Sequence, residues 1–497
     1  MPPSHIAILG GGLTGLSSAY HLARKFPRSL ITVLETRTRF GGWVRSERVQ
    51  ITDERLGGAT ASVVLEAGPR TLRPNGKSVL ELIHLLGLED SLVLTPKTAA
   101  AARNRFLYVP GSATGLDLIP TTLPALFSSP LSRILLPAVL REPLRRANRP
   151  EGLLDESVDA FMARRFGKEF ARVFGSAMVH GIYAADSREL SVKAAFPTVW
   201  RAEERGGGSV VRGFLRKSES GVAKHDYDMG DMAKTMEDVA VYSFKDGIQT
   251  ITDALVRDLR KNPNVQLQSG VGVTALRLNP LHKRLEVTTS RDPDPIHPSH
   301  VVSTLSLPDL HAIIPPSLAL PHLRANAYST VTVVNLVFPP PPPGAPPLHP
   351  AGFGYLVPRP ETGYSSRTPG ILGTVFDSAA LAPQDAAPAG LAKLTKLTVM
   401  LGGPHPLTPA HTAPRALLAQ LAAHLGHALP APLAVRVHRH VACIPTLGVG
   451  HVERMGELRA ALGAAWAGRL EVVGAGVGGV SVGDCVEAGK RVGDAWV

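Results

Sequence analysis

The stretch IAILGGGLTGLSSAYHLARKFPRSLITVLE, Ile6 to Glu35, constrains the fold more than any other part of the 497-residue chain. A short apolar run meets Gly10, Gly12 and Gly15, a helical pattern follows, and a second apolar run stops at Glu35. This reads as strand, tight turn, helix, strand. In G-x-G-x-x-G spacing the first glycine permits the turn. The second lets backbone approach a pyrophosphate, and the third lets helix and strand pack closely. The helix start also offers free N–H groups and the positive end of its dipole to phosphates. Glu35, at the end of the next strand, suits two ribose hydroxyls and would repel a 2′-phosphate. A dinucleotide site built from Gly10, Gly11, Gly12, Leu13, Thr14, Gly15 and Glu35 is the expectation.

The next residues narrow the dinucleotide. ETRTRFGGWVRSE places Arg39, Gly41 and Gly42 directly after the acid. This resembles the arginine–glycine–glycine signature of FAD enzymes in the amine-oxidase and desaturase superfamily. An arginine there can pair with phosphate, and two glycines let the chain pass close to a flavin. At the other end of the chain, a strand running to Gly474 precedes a helix expected to begin near Asp484. A helix N-terminus aimed at the flavin pyrimidine would stabilise its reduced anion. The expected cofactor is non-covalent FAD. Cys485 falls inside that last helix and is not read as a covalent flavin link.

Composition bounds the partners. The formal net charge of +12 favours an acidic partner, and 44% hydrophobic residues allow a sizeable core. Nucleic acid is disfavoured, because no dense basic run is interleaved with aromatics. No metal-ligand set is read. Two cysteines, Cys443 and Cys485, cannot make a disulfide framework. Only MPPSH stands before the first strand, so neither a signal peptide nor an Arg- and Ser-rich presequence is expected. No uncharged apolar run reaches the length of a spanning helix; LIPTTLPALFSSPLS is short and broken by Pro120, Pro124 and Pro130. Residues 112–215 are rich in Leu, Pro and Arg and read as helices with basic and apolar faces. A solvated helical domain and a lobe lying on an anionic membrane both fit that pattern. Residues 216–240 read as a flexible loop, and 377–433 carry the weakest signal.

A closer likeness comes from motifs in order: LEAGPRTLRPNG, NRFLYVPG, GIYAADSRELSV, GFGYLVP, TVMLGG and GVSVGDCVEAG. With the first 46 residues they resemble the protoporphyrinogen oxidases of the mitochondrial type. The resemblance implies an α/β + α fold: an FAD-binding Rossmann-like domain (1–90, 241–310, 440–497), an inserted mixed-sheet substrate domain (91–111, 311–439) and a helical membrane-binding lobe (112–215). It implies six-electron oxidation of protoporphyrinogen IX to protoporphyrin IX, with oxygen as acceptor and hydrogen peroxide as product. It further implies a peripheral seat on the mitochondrial inner membrane, handover to the next heme-pathway enzyme, and a homodimer. Two other readings stay open: another FAD-dependent amine oxidase or desaturase, and a degenerate, non-catalytic flavoprotein.

The same resemblance assigns roles. Trp43, Gly68, Pro69, Arg70 and Thr71 lie beside the cofactor, Val273 near the adenine, and Ala475, Val480, Ser481 and Val482 on the pyrimidine side. Arg105 of NRFLY pairs with a substrate propionate, as a bidentate guanidinium can. Gly181, Phe353, Leu356, Val375 and Met400 contact the tetrapyrrole. His180 reads as structural ahead of a general base. Three departures from the family pattern stand out: Asp246 in SFKDGIQ, where a glycine pair is usual; a turn, GAGVGGVSV, poor in aromatics; and Val452 after GH, where some members carry a tryptophan over the cofactor.

Overall fold

The computed structural model describes residues 2–54, 58–111, 115–216, 227–279, 284–365, 369–388, 391 and 394–496. The opening pattern folds as read. His5–Leu9 and Leu30–Glu35 are neighbours in a five-stranded sheet with the order Leu470–Val472, His300–Ser303, His5–Leu9, Leu30–Glu35, Val265–Ser269. Every pairing is parallel. Such strands are buried on both faces, which is why HIAIL and LITVLE are nearly unbroken apolar runs.

Helices cover the two faces. Leu13–Lys25 packs on one side, and the C-terminal helix Val482–Arg491 lies against it so closely that a β-carbon on Gly489 would sit 2.6 Å from Ser17 Cβ. The helix His451–Trp466 closes the other side with Met455, Leu458, Leu462 and Trp466. The two ends of the chain therefore pack on the same sheet.

The second sheet has seven strands in the order Ala434–Pro445, Tyr328–Phe338, Thr395–Gly402, Ile371–Phe376, Gly354–Leu356, Phe106–Tyr108, Leu116–Leu118. It is mixed: Gly354–Leu356 runs parallel to Phe106–Tyr108, and the other pairings are antiparallel. Leu92–Pro96 does not join it. That strand pairs with Val239–Phe244, whose Tyr242 and Phe244 belong to the first core.

One segment differs from expectation, and another had carried too weak a signal to read. The described part of the expected loop, from Tyr227 on, is anchored. Met232 and Met236, four apart, enter the first core, and the Tyr227 hydroxyl meets Glu487 at 3.0 Å. Unbranched thioethers fill such gaps without a visible periodicity. Residues 217–226 lie outside the described chain. In 377–433, the strand Thr395–Gly402 is central to the large sheet, and the helix Pro414–Leu425 sets Leu417 and Leu421 on it.

Residues 123–215 form helices around their own core of Val158, Phe161, Val179, Trp200 and Val210. Glu142 and Arg165, both fully buried, pair at 2.6 Å. Glu142 also accepts from Ser209 Oγ at 2.7 Å and from the Val210 and Val211 amides, which starts the helix Val210–Leu215. Burial alone would raise this carboxyl; those hydrogen bonds outweigh it and hold it below the ordinary value. On the outside, Phe127, Leu140, Leu144, Phe214 and Leu215 are exposed. Among the described residues no helix is long and apolar enough to cross a membrane.

Candidate active site

The glycines of the first turn do three different jobs. Gly10 has φ +101°, a left-handed value that side chains resist. A β-carbon on Gly15 would lie 1.9 Å from the Gly10 carbonyl oxygen, so the third glycine is needed by the protein itself. A β-carbon on Gly12 would meet nothing nearer than Gly42 Cα at 3.9 Å. The protein does not need that glycine; a ligand approaching the backbone does. Leu13 and Thr14, both buried, continue the turn into the helix.

Glu35 is fixed by two amides, Gly11 N–H to Oε2 and Arg37 N–H to Oε1, each at 2.8 Å. Its backbone carbonyl accepts from Val271 N–H, which brings Val273 alongside. Gly41 N–H donates to the Gly11 carbonyl at 2.8 Å, so the second glycine loop is stitched to the first. Arg39 braces its own loop. Its guanidinium donates to the carbonyls of Phe40, Gly42 and Val44 and sets the shape of that loop. Trp43 lies under the Arg37 guanidinium and edge-on to His440.

Gly68 passes so near Trp43 that a β-carbon would lie 2.3 Å from its carbonyl oxygen. Pro69 and Thr71 are half-buried on either side of Arg70, whose carbonyl accepts from Ser243 Oγ. At the far end, Ala475 and Val480 are half-buried, and Gly474 lies near Thr14 of the first turn. The last helix starts at Val482, not Asp484. Ser481 is its cap, accepting from the Asp484 amide, while the Asp484 carboxylate accepts from the Ser481 amide. Asp484 therefore sits in the first turn and meets part of the positive end of the dipole.

Arg70 leads to residues that the sequence reading missed. Its Nη1 is 3.5 Å from Asp377 Oδ1. Thr398 Oγ1 donates to Asp377 Oδ2, and Asn335 Nδ2 donates to Thr398 Oγ1 at 2.8 Å. Arg70 Nη1, Asp377 Oδ1 and Asn335 Oδ1 are buried and make no hydrogen bond within the protein. Buried groups left so are costly unless a ligand or water meets them. They lie where the glycine cradle joins the large sheet, with Arg70 Nη1 and Asp377 Oδ1 facing each other as an ion pair. The signal was present: Asn335 interrupts the apolar run TVTVVNLVF, and Asp377 directly follows the strand that carries Val375. Nearby, burial pushes the Glu66 carboxyl up to about 7, against hydrogen bonds from Ile248 and Ser46.

The large sheet brings the expected substrate residues together. Leu356 is opposite Gly373, and Gly373 is opposite Met400, so one row across three strands reads Leu, bare backbone, Met. Val375 is opposite Thr398 in the neighbouring row, two residues from Gly373 and on the same face. Gly181 touches this group: a β-carbon there would lie 2.7 Å from Leu356 Cδ2. The Arg105 guanidinium carbon stands 5.8 Å from the centre of the Phe353 ring. Arg105 is half-buried, donates to the Ala102 carbonyl, and has no acidic partner among the described residues. Burial and the charge of Arg73 both disfavour its protonated form.

Comparison with known proteins settles the kinship. A family model for flavin-containing amine oxidoreductases matches residues 13–495. Protoporphyrinogen oxidase of Schizosaccharomyces pombe is 32% identical over 97% of this chain and 96% of its own length. That of Homo sapiens is 33% identical over 98% and 97%. The chain belongs to the protoporphyrinogen oxidase family of flavin-containing amine oxidoreductases. A crystal structure from Exiguobacterium sp. 255-15 shares the fold, with TM-score 0.74, 21% identity and 99% and 98% of the two chains covered. The chain is an FAD-dependent oxidoreductase.

Two departures from the family pattern find explanations. Asp246 is exposed and pairs with Arg48 at 2.7 Å on the surface. The glycine that the turn requires is the next one: Gly247 has φ +88°, and a β-carbon there would lie 2.3 Å from Ser46 Oγ. Val452 lines a cleft of about 530 Å³ with Trp200 and Met455, between the helical lobe and the helix His451–Trp466. Burial pushes the Cys485 thiol up to about 11, which leaves it unreactive.

Proposed function

We propose that this chain oxidises protoporphyrinogen IX to protoporphyrin IX with oxygen as acceptor and hydrogen peroxide as product. The observation that carries this reading is the pairing of an apolar row, Leu356–Gly373–Met400, with the uncompensated charge of Arg105. A flat apolar macrocycle that bears carboxylates needs both. When bound, FAD supplies the two-electron oxidation, three times over for six electrons in all.

The chain's own residues bind and orient. Arg105 pairs with a propionate and fixes the in-plane rotation of the macrocycle. Leu356, Val375 and Met400 grip one face and exclude water, and Gly373 lets the Leu356 side chain lie down on the sheet. Gly181 lets Leu356 stand close to the helical lobe. Positioning of this kind accounts for much of what an enzyme must do when a cofactor performs the chemistry.

The helical lobe, with Phe127, Leu144 and Leu215 exposed among arginines, supports a peripheral seat on an anionic membrane. The mitochondrial inner membrane, handover to the next heme-pathway enzyme and a homodimer belong to the same reading and rest on kinship. The test is anaerobic mixing of the FAD-loaded protein with protoporphyrinogen IX, followed by admission of oxygen. Flavin bleaching and then porphyrin fluorescence above the spontaneous rate are expected. Arg105→Ala should lower kcat/KM by about 10- to 100-fold, the worth of one charged hydrogen bond. A flavin that stays oxidised with this substrate would overturn the reading.

A further inference from the structure

His180 occupies a junction that the proposed chemistry does not otherwise use. It lies on the helix Ser176–Tyr183, is 2% exposed, and precedes the Gly181 that touches Leu356. Its Nδ1 is 2.7 Å from the Val357 carbonyl oxygen, and its Nε2 is 2.9 Å from the Tyr364 hydroxyl. A carbonyl can only accept, so Nδ1 carries the proton. Burial pushes the imidazole down to about 4, so the ring is neutral near pH 7 and Nε2 offers a lone pair. The Tyr364 hydroxyl therefore donates to it. Both ring nitrogens are occupied, which leaves no free base.

We infer that His180, held in one tautomer by the Val357 carbonyl and braced on its other nitrogen by Tyr364, is the positioning residue for the Leu356 arm of the apolar clamp. The inference rests on the substrate proposed above. Gly354–Leu356 is a strand of only three residues, and Leu356 is its last. The residue opposite Leu356 is Gly373, and the Leu356 side chain lies down on it, so that a β-carbon on Gly373 would sit 2.8 Å from Leu356 Cδ2; its outer side packs against the cluster of Leu107, Val173 and Ala177. What fixes the chain just past Leu356 is the Val357 peptide: its N–H donates to Leu372 at 2.9 Å, and its carbonyl is held by His180. The same helix presents Gly181 to the Leu356 methyl groups. One short stretch of helix thus sets both the backbone and the near wall of the clamp arm.

The experiment compares three variants with the FAD-loaded wild type. His180→Leu removes the donor, His180→Asn keeps a donor near the Nδ1 position, and Tyr364→Phe removes one oxygen while preserving packing. His180→Leu should raise KM for protoporphyrinogen IX about tenfold, with kcat within about threefold, and with FAD content and flavin spectrum unchanged. His180→Asn should recover most of the KM loss, and Tyr364→Phe should raise KM about threefold. If His180→Leu does not fold, the other two decide. Unchanged KM in the soluble variants of an active enzyme overturns the inference alone. So does a parallel loss of kcat, FAD content and melting temperature in His180→Asn and Tyr364→Phe, which would make His180 a fold residue only. A wild type that does not turn over this substrate defeats the proposed function first, and this inference with it.

Discussion

Gly42 and Gly12 face one another across the two glycine loops: a β-carbon on Gly42 would lie 3.1 Å from Gly12 Cα. The approach is close from one side only, since a β-carbon on Gly12 has 3.9 Å of clearance. Gly12 also has an ordinary φ of −73°. Gly12→Ala should therefore leave the apoprotein's melting temperature within about 2 °C, a surface-like change. FAD should nevertheless be lost, because the methyl group fills the space that backbone leaves for a pyrophosphate. Gly15→Ala should cost about 3 kcal/mol or more without any ligand, because its methyl group collides with the Gly10 carbonyl. Equal loss of stability in both variants would refute the division of labour.

Asp246→Gly should leave FAD stoichiometry and turnover unchanged. Its exposed pair with Arg48 is worth about 0–1 kcal/mol. Gly247→Ala should destabilise the protein by about 2 kcal/mol or more, through left-handed strain and collision with Ser46. Thermal melts and flavin-to-protein ratios read both. Tighter FAD binding in Asp246→Gly would show that the aspartate does weaken the site.

The Glu142 carboxyl is held below its ordinary value in the folded lobe, so its contribution is fully present above the unfolded carboxylate pKa and disappears as pH falls through the depressed folded one. Acid should therefore loosen the lobe below about pH 4. Near-UV circular dichroism would follow it. Glu142→Gln takes from buried Arg165 the nearer of its two carboxylates, leaving Glu203 at 3.7 Å, and should cost about 3 kcal/mol at neutral pH. It should also flatten the acid dependence. An acid profile unchanged by the substitution would rule this out.

Wild-type protein should sediment with vesicles that contain anionic lipid, less so in high salt, and not with neutral vesicles. Changing Leu144 and Leu215 together to Asp should weaken binding by about tenfold or more, given about 1.5–3 kcal/mol for burying each leucine. Wild type that ignores anionic vesicles would reduce the lobe to an ordinary solvated domain.

The cofactor half of this molecule was legible because a nucleotide imposes fixed spacings along one short stretch. Gly10, Gly12, Gly15 and Glu35 lie within a single strand–helix–strand unit, so their geometry is local. The clamp was legible only through likeness, since Leu356, Gly373 and Met400 meet by strand register, which no periodicity announces. The Arg70–Asp377–Thr398–Asn335 group was missed for the same reason: four distant residues become neighbours only when the sheet closes on the cradle. Met232 and Met236 were hidden in a stretch whose charges suggested solvent.

The contact between the first and last helices sets an order of events. Ser17 Oγ donates to the Val486 carbonyl across 469 residues of sequence, and Leu470–Val472 completes the edge of the parallel sheet. A growing chain can assemble the helical lobe and much of the large sheet while the nucleotide pocket still lacks a wall. Synthesis thus places cofactor loading last, and any truncation before Leu470 should yield a colourless protein even where the substrate sheet is intact.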